Sequence, residues 1–182
     1  MGRFIGGPFG RKSLRELRGR LQERVRRADL VVALLGAGRR GLSSRRAVAR
    51  ALRRLRIIAL IPEDDFPRDI GPSIAEEIVL SDDDTDLVFL YIESWGSATE
   101  FGQLRLDPRV APKLRILVPS AFHPIHGSRR SYLTDAYLTH LALHGHVYAV
   151  GDAHRLRVPT PERLIVTLAE RYRQAKALPD GM

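Results

Sequence analysis

The chain has 182 residues, of which 44% are hydrophobic and 28% are charged, and it has no cysteine. This length suits one core of ordinary size and leaves too little chain for two. Without cysteine, a disulfide framework, a thiolate metal site and a cysteine nucleophile are all excluded. The formal charge of +9 is uneven, because residues 1–56 hold 17 Lys/Arg and 3 Asp/Glu whereas residues 57–182 hold 13 and 18.

The hydrophobic runs of the chain are short. None approaches the roughly 20 apolar residues that a membrane-spanning helix needs. The early apolar patches, Phe4-Ile5 and Phe9, are broken by Gly and Pro and followed by Arg11, which is not the pattern of a signal peptide. We therefore expect a cytoplasmic protein that makes no contact with a membrane.

The basic front of the chain consists of two parts. Met1–Arg11 is Gly-rich and without periodicity, which predicts an arm, and the helical spacing of four apolar residues predicts a helix from Ser13 to near Arg27. We assign residues 1–28 to this basic arm and helix, and residues 29–178 to an α/β domain. The apolar residues of the helix are Leu14, Leu17, Leu21 and Val25.

The segment Arg11–Arg27 has two interpretations as a binding element. Its arginines could contact nucleic-acid phosphates or dock on an acidic protein. It contains no aromatic residue that could stack on a base, which favours backbone contacts over sequence reading. We expect the protein to work as an oligomer or in a complex.

From Asp29 onward, short apolar runs alternate with amphipathic segments, which is typical of parallel strands and crossover helices. The runs predict five strands, each buried on both faces: Leu30–Leu35, Ile57–Ile61, Leu87–Ile92, Leu114–Val118 and His146–Val150. The segments between and after them predict helices over Ser43–Leu55, Pro72–Leu80, Ser97–Leu106, Tyr132–Leu143 and Pro161 to about Ala177.

This alternation predicts the fold class. It is an α/β fold with a doubly wound, five-stranded parallel sheet, helices on both faces and flavodoxin-like strand order. In such sheets the ligand binds outside the carboxyl ends of the strands. The segments that follow the strands are therefore the candidates for a site: Gly36–Ser44, Pro62–Asp69, Glu93–Glu100, Pro119–Arg130 and Gly151–Arg155.

The segment Gly36–Arg46 follows the first strand and has the composition of a phosphate site. Its backbone N–H groups, hydroxyls and arginine side chains would suit a phosphate, and the residues concerned are Gly36, Gly38, Ser43, Ser44 and Arg45. Gly36, Gly38 and Gly41 also spell Gly-x-Gly-x-x-Gly, with Glu63 as a ribose-binding acid, so a dinucleotide site stays open. The third interpretation is a flexible turn capped by Ser43 or Ser44.

The third strand is followed at once by Glu93-Ser-Trp-Gly-Ser-Ala-Thr-Glu100-Phe-Gly. The predicted helix start places Glu100 in its first turn, at the carboxyl edge of the sheet, with its carboxylate directed into the cleft. Ser97 and Glu100 also have the spacing of a capping box, in which Glu100 would merely accept the Ser97 N–H. On this pattern alone, both interpretations stay open.

This same segment resembles the Gly-(Ser/Thr)-x-x-Glu-(Leu/Phe)-Gly signature of nucleoside 2-deoxyribosyltransferases. It is still more similar to the Glu-Ser-x-Gly-Ser-x-x-Glu-Leu-Gly form of related N-glycosidase effectors in bacterial antiphage systems such as retrons, which share the flavodoxin-like fold with TIR domains. More loosely, the resemblance extends from Leu30 to about Val150. It implies a hydrolase that cleaves N-glycosidic bonds of nucleotides in antiviral defence, with Glu100 as the nucleophile and Gly96 and Ser97 among the substrate-binding residues.

Two departures qualify what the resemblance implies. Deoxyribosyltransferases often have an Asp six residues before the nucleophile, whereas this chain has Ser94 there and Glu93 one residue earlier. This favours hydrolysis of a nucleotide over exchange of free bases. We include Glu93 as a second catalytic carboxylate, with a solvated acid at a strand end as the alternative. The base-contacting acid of the family matches Glu76, Glu77 or Asp86, of which we select Glu77 and Asp86 as substrate-binding.

Metals and cofactors are not expected. His140 and His144 are four residues apart, but no carboxylate completes a His-Glu-x-x-His arrangement. We predict an N-glycosidase that acts on a nucleotide or dinucleotide, NAD among them, without a bound cofactor. The alternative is a non-catalytic nucleotide-sensing or nucleic-acid-associated module of the same fold.

Overall fold

The structure of the protein is a computed structural model that describes residues 11–36, 38–67, 69–151 and 158–178. Apart from Arg11, the predicted arm Met1–Arg11 lies outside the described residues. The predicted loop Gly151–Arg155 does so too, apart from Gly151.

A five-stranded, all-parallel sheet forms the centre of the domain, in the order β2-β1-β3-β4-β5. The strands are β1 (Val31–Gly36), β2 (Ile58–Leu60), β3 (Leu87–Tyr91), β4 (Leu114–Pro119) and β5 (Val147–Val150). This order and the helices on both faces confirm the prediction of a flavodoxin-like α/β fold.

Seven helices are described: α1 (Arg11–Arg27), α2 (Gly38–Arg54), α3 (Pro62–Asp65), α4 (Pro72–Ser81), α5 (Trp95–Leu104), α6 (Thr134–His144) and α7 (Pro161–Ala177). Helices α2 and α7 cover one face of the sheet, where Val48, Leu52 and Ile165 join its buried side chains. Helices α4, α5 and α6 cover the other face, where Leu80, Phe101 and Tyr137 do the same. The sheet is thus the middle of three layers.

Two details of the strands and helices differ from the sequence-based expectation. The strands β2 and β5 form the edges of the sheet and are only partly covered, so that Ile58 is 50% exposed. An apolar run does not distinguish an edge strand from a central one, because the residues of an edge strand are also apolar even though only part of their surface is covered. The single-turn helix α3 was not predicted, since four residues are too few to show a helical period.

Helix α1 lies outside the three layers and packs against α7. Its apolar residues Leu17 and Leu21 stay about 40% exposed, and its arginines from Arg15 to Arg27 are exposed. None of the helices in the described part of the chain is both long and apolar enough to cross a bilayer.

Candidate active site

The switch point of the sheet lies between β1 and β3, where Gly36 pairs with Tyr91. From there the chain turns to opposite faces, into α2 after β1 and into α5 after β3, which opens a crevice at the carboxyl edge. Gly36 has a φ of 142°, and a Cβ there would lie 3.4 Å from the carbonyl oxygen of Tyr91. Only glycine fits this turn without strain.

Two cavities open on either side of the switch point and share Leu35, Gly36 and Arg45. The first, which we call the α4-side cavity, has a volume of about 390 Å³ and contains the carboxyl groups of Glu63, Glu76 and Glu100. The second, the α2-side cavity, measures about 140 Å³. It is lined by Ser44, Tyr91, Glu93 and Glu162, among others. Five glutamates thus line the two cavities that share this buried arginine.

Helix α5 is capped by two serines, and Glu100 takes no part in the cap. The Ser97 N–H donates to Ser94 Oγ at 3.2 Å, while Ser97 Oγ accepts from the N–H groups of Glu93 and Ser94, both at 3.1 Å. The alternative in which Ser97 and Glu100 form a capping box is therefore wrong. The helix begins at Trp95, two residues earlier than predicted, which puts Glu100 in its second turn.

Glu100 is half-buried in the α4-side cavity, and its carboxyl group has no hydrogen bond or ion pair with any described residue. Burial, followed by the charges of Glu76 and Glu63, raises the pKa of Glu100 to about 7, against the opposing effect of Arg45. A carboxyl group of this kind exchanges its proton near neutral pH. Such groups are candidates for acid, base or nucleophile roles in a cleft.

The two neighbouring carboxyl groups differ in their protonation. Burial and the charge of Glu63 raise the pKa of Glu76, with Arg45 again opposing them. Burial would also raise the pKa of Glu63, but the hydrogen bonds from Arg45, a backbone hydrogen bond and the charge of Arg45 together outweigh that effect and lower it. Glu63 is thus the ionised partner of the arginine, whereas Glu76 and Glu100 both hold protons more tightly than exposed glutamates do.

The turn after β1 is much shorter than predicted. Helix α2 begins at Gly38 and not at Ser43, so most of Gly36–Arg46 is helix, and neither Ser43 nor Ser44 is a cap. Ser43 is exposed, and Ser44 Oγ donates to Glu162 Oε1 at 2.7 Å. Glycines at 38 and 41 made the segment resemble a loop, because glycine is a poor helix former, but the packing of α2 against the sheet overrides that preference.

The two arginines of this segment are held by carboxylates. Arg45 makes two hydrogen bonds to Glu63, of 2.6 and 2.8 Å, and also donates to the carbonyl oxygens of Leu34 and Gly38. Only 9% of Arg45 is exposed. Arg46 pairs in the same two-pronged way with Asp64, at 2.6 and 2.8 Å, but at the surface.

The remaining predicted site residues are scattered. Glu93 is exposed at the end of β3 and lies in the α2-side cavity, across the switch point from Glu100. Partial desolvation of its carboxyl group, together with the charge of Glu162, raises the pKa of Glu93, and the charge of Arg45 opposes the shift. Gly96 is exposed on the first turn of α5, whereas Ser97 is buried in the cap.

Two predicted binding residues lie away from the crevice. Glu77 is exposed on α4 and faces Arg109 at 3.5 Å, while its neighbour Glu76 lines the cavity. Asp86 precedes β3 and therefore sits at the amino edge of the sheet, where it accepts from the Val31 N–H at 3.0 Å and pairs with Lys176 at 2.7 Å. Its role there is to tie β1, β3 and α7 together.

One residue of the crevice, Glu162, was not among the residues predicted from the sequence. It lines the α2-side cavity from the start of α7. Burial would raise the pKa of Glu162, but its hydrogen bonds from Ser44, its own backbone and Thr160 lower it. Its signal in the sequence was its place after Thr160-Pro161, in the first turn of a helix that follows the fifth strand.

Two of the histidines make structural contacts to backbone carbonyl oxygens. His123 Nε2 bonds to the carbonyl oxygen of Val147 at 3.2 Å, and His140 Nε2 to that of Leu114 at 3.1 Å. Within the described ranges, His, Asp and Glu side chains nowhere form a group of three that could hold a metal ion.

The chain matches no model of a known protein family, and no curated protein matches it at a significant level.

Proposed function

We propose that the protein is an N-glycosidase that cleaves the base–sugar bond of a nucleotide, with Glu100 as the nucleophile. The observation that carries the proposal is the position of Glu100: it lies at the switch point of the sheet, within a cavity, and its carboxyl group makes no hydrogen bond or ion pair with the residues that the structure describes. A carboxylate in such a place can stabilise or trap the oxocarbenium-like sugar that forms as the base departs.

The chemistry needs two carboxyl groups in different protonation states, and two with raised pKa values lie in the α4-side cavity. Glu76 and Glu100 share this cavity, and the charge of Glu76 helps to raise the pKa of Glu100. For the loaded site we assign the ionised form to Glu100 and the proton to Glu76, the reverse of the order that the charge of Glu76 favours in the free protein. The bond between base and C1′ breaks, Glu76 gives its proton to the departing base, and Glu100 Oε bonds to C1′.

Hydrolysis completes the cycle. Water attacks C1′ and gives a proton to Glu76, and the C1′–Glu100 bond breaks to regenerate the carboxylate. The nascent positive charge on the sugar lowers the pKa of Glu100 in the loaded site and so favours its ionised form. Glu93, on the other side of the switch point, is assigned to the sugar hydroxyls.

We place the phosphate of the substrate at the first turn of α2. That turn contains no acidic residue and follows the carboxyl end of β1, where backbone N–H groups can bind an anion. Since Glu63 holds both terminal nitrogens of Arg45, this arginine shapes the site and is not a free phosphate ligand.

The function is tested by incubating the purified protein with a pool of nucleotides, NAD and nucleosides and separating the products by chromatography. We expect a free base and the matching sugar phosphate from at least one nucleotide. If every component stays intact at high protein concentration, the enzymatic proposal fails and a nucleotide-sensing module is the better explanation.

We also propose that α1 binds the phosphate backbone of a nucleic acid. Arg15, Arg18 and Arg26 are exposed on one flank of the helix, since multiples of 100° per residue bring them within about 80° of each other. Although the helix packs on α7, these three arginines remain exposed, so this flank is accessible to a ligand. Each phosphate that it neutralises releases counterions.

This gives a prediction for salt dependence. Replacing Arg15, Arg18 and Arg26 together by Ala should flatten the slope of log affinity against log salt by about 0.9 for each duplex phosphate that the variant no longer neutralises. The matched control replaces Arg20 and Arg24, on the opposite flank, by Ala and should leave the slope in place. Fluorescence anisotropy with a labelled duplex measures both. An affinity that does not depend on salt would contradict the assignment and point to a protein partner.

A further inference from the structure

Helix α4 has apolar side chains on both of its faces. Ala75, Val79 and Leu80 pack into the core, whereas Ile74 and Ile78 are 54% and 52% exposed. These two isoleucines are four residues apart, so they lie about 40° from each other around the helix and form one ridge. A helix that is apolar all round is normally buried on all sides. The outer face of α4 therefore has the composition of a contact surface.

The isoleucine ridge points away from the proposed catalytic cavity. Glu76, which lines the α4-side cavity, is two residues from each isoleucine and thus about 160° away from each around the helix. The described walls of that cavity include neither Ile74 nor Ile78. A partner bound on the ridge would therefore leave the cavity open.

A further apolar side chain and an ion pair lie beside the ridge. Leu106, in the segment between α5 and β4, is 70% exposed. Arg109 comes from the same segment, is held by Asp107 at 3.2 Å and faces Glu77 at 3.5 Å. The side chains of Arg109 and Glu77 are both more than half exposed. A surface that is apolar in the middle and charged at the rim is typical of a protein interface.

The charges at the rim favour a second copy of this chain as the partner. A two-fold interface brings one surface against itself, so that each charge in it needs its opposite on the same surface. The rim of the ridge meets this condition, because the acid Glu77 and the base Arg109 lie on one flank of α4. The flank of α1 with Arg15, Arg18 and Arg26 does not meet it, since two such flanks would repel each other.

A two-fold axis perpendicular to α4 brings these groups together. The two α4 helices then run antiparallel with ridge against ridge, an arrangement that also pairs their dipoles favourably. The flank with Glu77 and Arg109 in one copy lies beside the same flank of the other. Arg109 can therefore replace its long contact to its own Glu77 by a contact to Glu77 of the second copy.

We propose that the outer face of α4 is a two-fold interface between two copies of this chain. Ile74, Ile78 and Leu106 form its apolar centre, and Glu77 and Arg109 form ion pairs across the axis. The dimer goes beyond the proposed function and does not depend on it, because each copy keeps its own cavity on the other face of α4.

The interface is tested by size-exclusion chromatography with light scattering on the full chain at rising concentration. We expect the mass of two chains at high concentration. Ile78→Lys should raise the dissociation constant of the dimer at least about a hundredfold, because an unpaired ammonium group would be buried in the apolar centre. Leu143→Lys makes a comparable change at an exposed leucine of α6 and should leave the dissociation constant as it is. Circular dichroism checks that both variants are folded.

Two charge variants test the pairing across the axis without changing the apolar centre. Glu77→Arg and Arg109→Glu each place like charges opposite each other, and each should weaken its own dimer about tenfold or more. An equal mixture of the two variants restores opposite charges in both pairs. Native mass spectrometry should therefore show the mixed dimer in excess over the dimer of either variant. An ion pair within one chain does not predict this recovery, because each variant chain keeps its own mismatch.

Three results would overturn the proposal. A protein that stays monomeric at every concentration, or a dimer that Ile78→Lys leaves intact, would refute an interface on α4. Assemblies that grow beyond two chains would indicate a head-to-tail contact, with the basic α1 of one copy on this face of the next, and would refute the two-fold arrangement. A mixture of the charge variants that dimerises no better than either variant alone would refute the pairing of Glu77 with Arg109. None of these results depends on release of base by the wild type, which is measured separately.

Discussion

Replacing Glu100 by Gln should abolish base release while leaving the protein folded. Glutamine keeps the shape of the side chain but can neither attack C1′ nor offset a positive charge on the sugar. We expect the rate to fall by a factor of about a thousand or more, as is usual for loss of a nucleophile. The measurement is the amount of free base by chromatography, at equal protein concentration.

A matched control lies beside Glu76 on α4 but faces away from the crevice. Glu77→Gln removes an exposed carboxylate on α4 that faces Arg109, and it should change base release by less than about twofold. A Glu100→Gln protein that still works at the wild-type rate would end the catalytic assignment. Equal losses in both variants would point to a general effect of charge.

The Glu100→Gln substitution should also alter how the stability of the protein depends on pH. Because the pKa of Glu100 is raised from 4.5 to about 7 in the folded state, the folded protein binds more protons than the unfolded chain between those values. The free energy of unfolding therefore falls as pH rises through this window, by at most about 1.4 kcal/mol per pH unit from one group. Glu100→Gln should remove that fall and leave the variant more stable than the wild type above pH 7.

Replacing Arg45 by Ala should have the largest effect on stability among the residues of the site. Arg45 is nine-tenths buried and donates to Glu63 and to two carbonyl oxygens, so its loss removes all of these hydrogen bonds at once. We expect a decrease of about 2–4 kcal/mol, below the upper end for buried pairs because Glu63 stays partly hydrated. Urea denaturation measures it.

The neighbouring residue supplies the comparison. Arg46 makes the same two-pronged pair with Asp64, but its side chain is 48% exposed, so Arg46→Ala should cost less than about 1 kcal/mol. The two variants thus differ in burial and not in chemistry. Similar losses from both would show that burial does not set the strength of these pairs.

The order of strands and helices was largely readable from the sequence. Each apolar run became a strand, and Pro161–Ala177 was predicted with the bounds that the structure gives it. The starts of α2 and α5 were predicted too late. Glycines at 38 and 41 made the beginning of α2 resemble a loop, and the sequence before α5 contains both a Ser94–Ser97 and a Ser97–Glu100 spacing, each compatible with a helix start. Which spacing forms the cap depends on how α5 packs against β3.

The candidate site was only partly predictable. The position of Glu100 at the carboxyl edge was predictable because its segment follows a strand, and its selection as nucleophile came from the resemblance of that segment. Glu76 and Glu77 differ by 100° around α4, and only the packing of that helix decides which one faces the cavity. Asp86 comes before a strand, which already places it at the opposite edge. The raised pKa of Glu100 arises first from burial and then from the charges of residues 24 and 37 positions away along the chain, and no local pattern reveals either.

The most direct test of Glu100 as the nucleophile is to trap the sugar on it. The nucleotide from which base is released fastest would be used as an analogue with fluorine at C2′, which slows the second step, and the acid-quenched protein would be digested and analysed by mass spectrometry. We expect one sugar phosphate on the peptide that contains Glu100, and none on that peptide in Glu100→Gln. A sugar on Glu93 or Glu76, or release of base from the analogue over many turnovers without any adduct, would refute the assignment of Glu100.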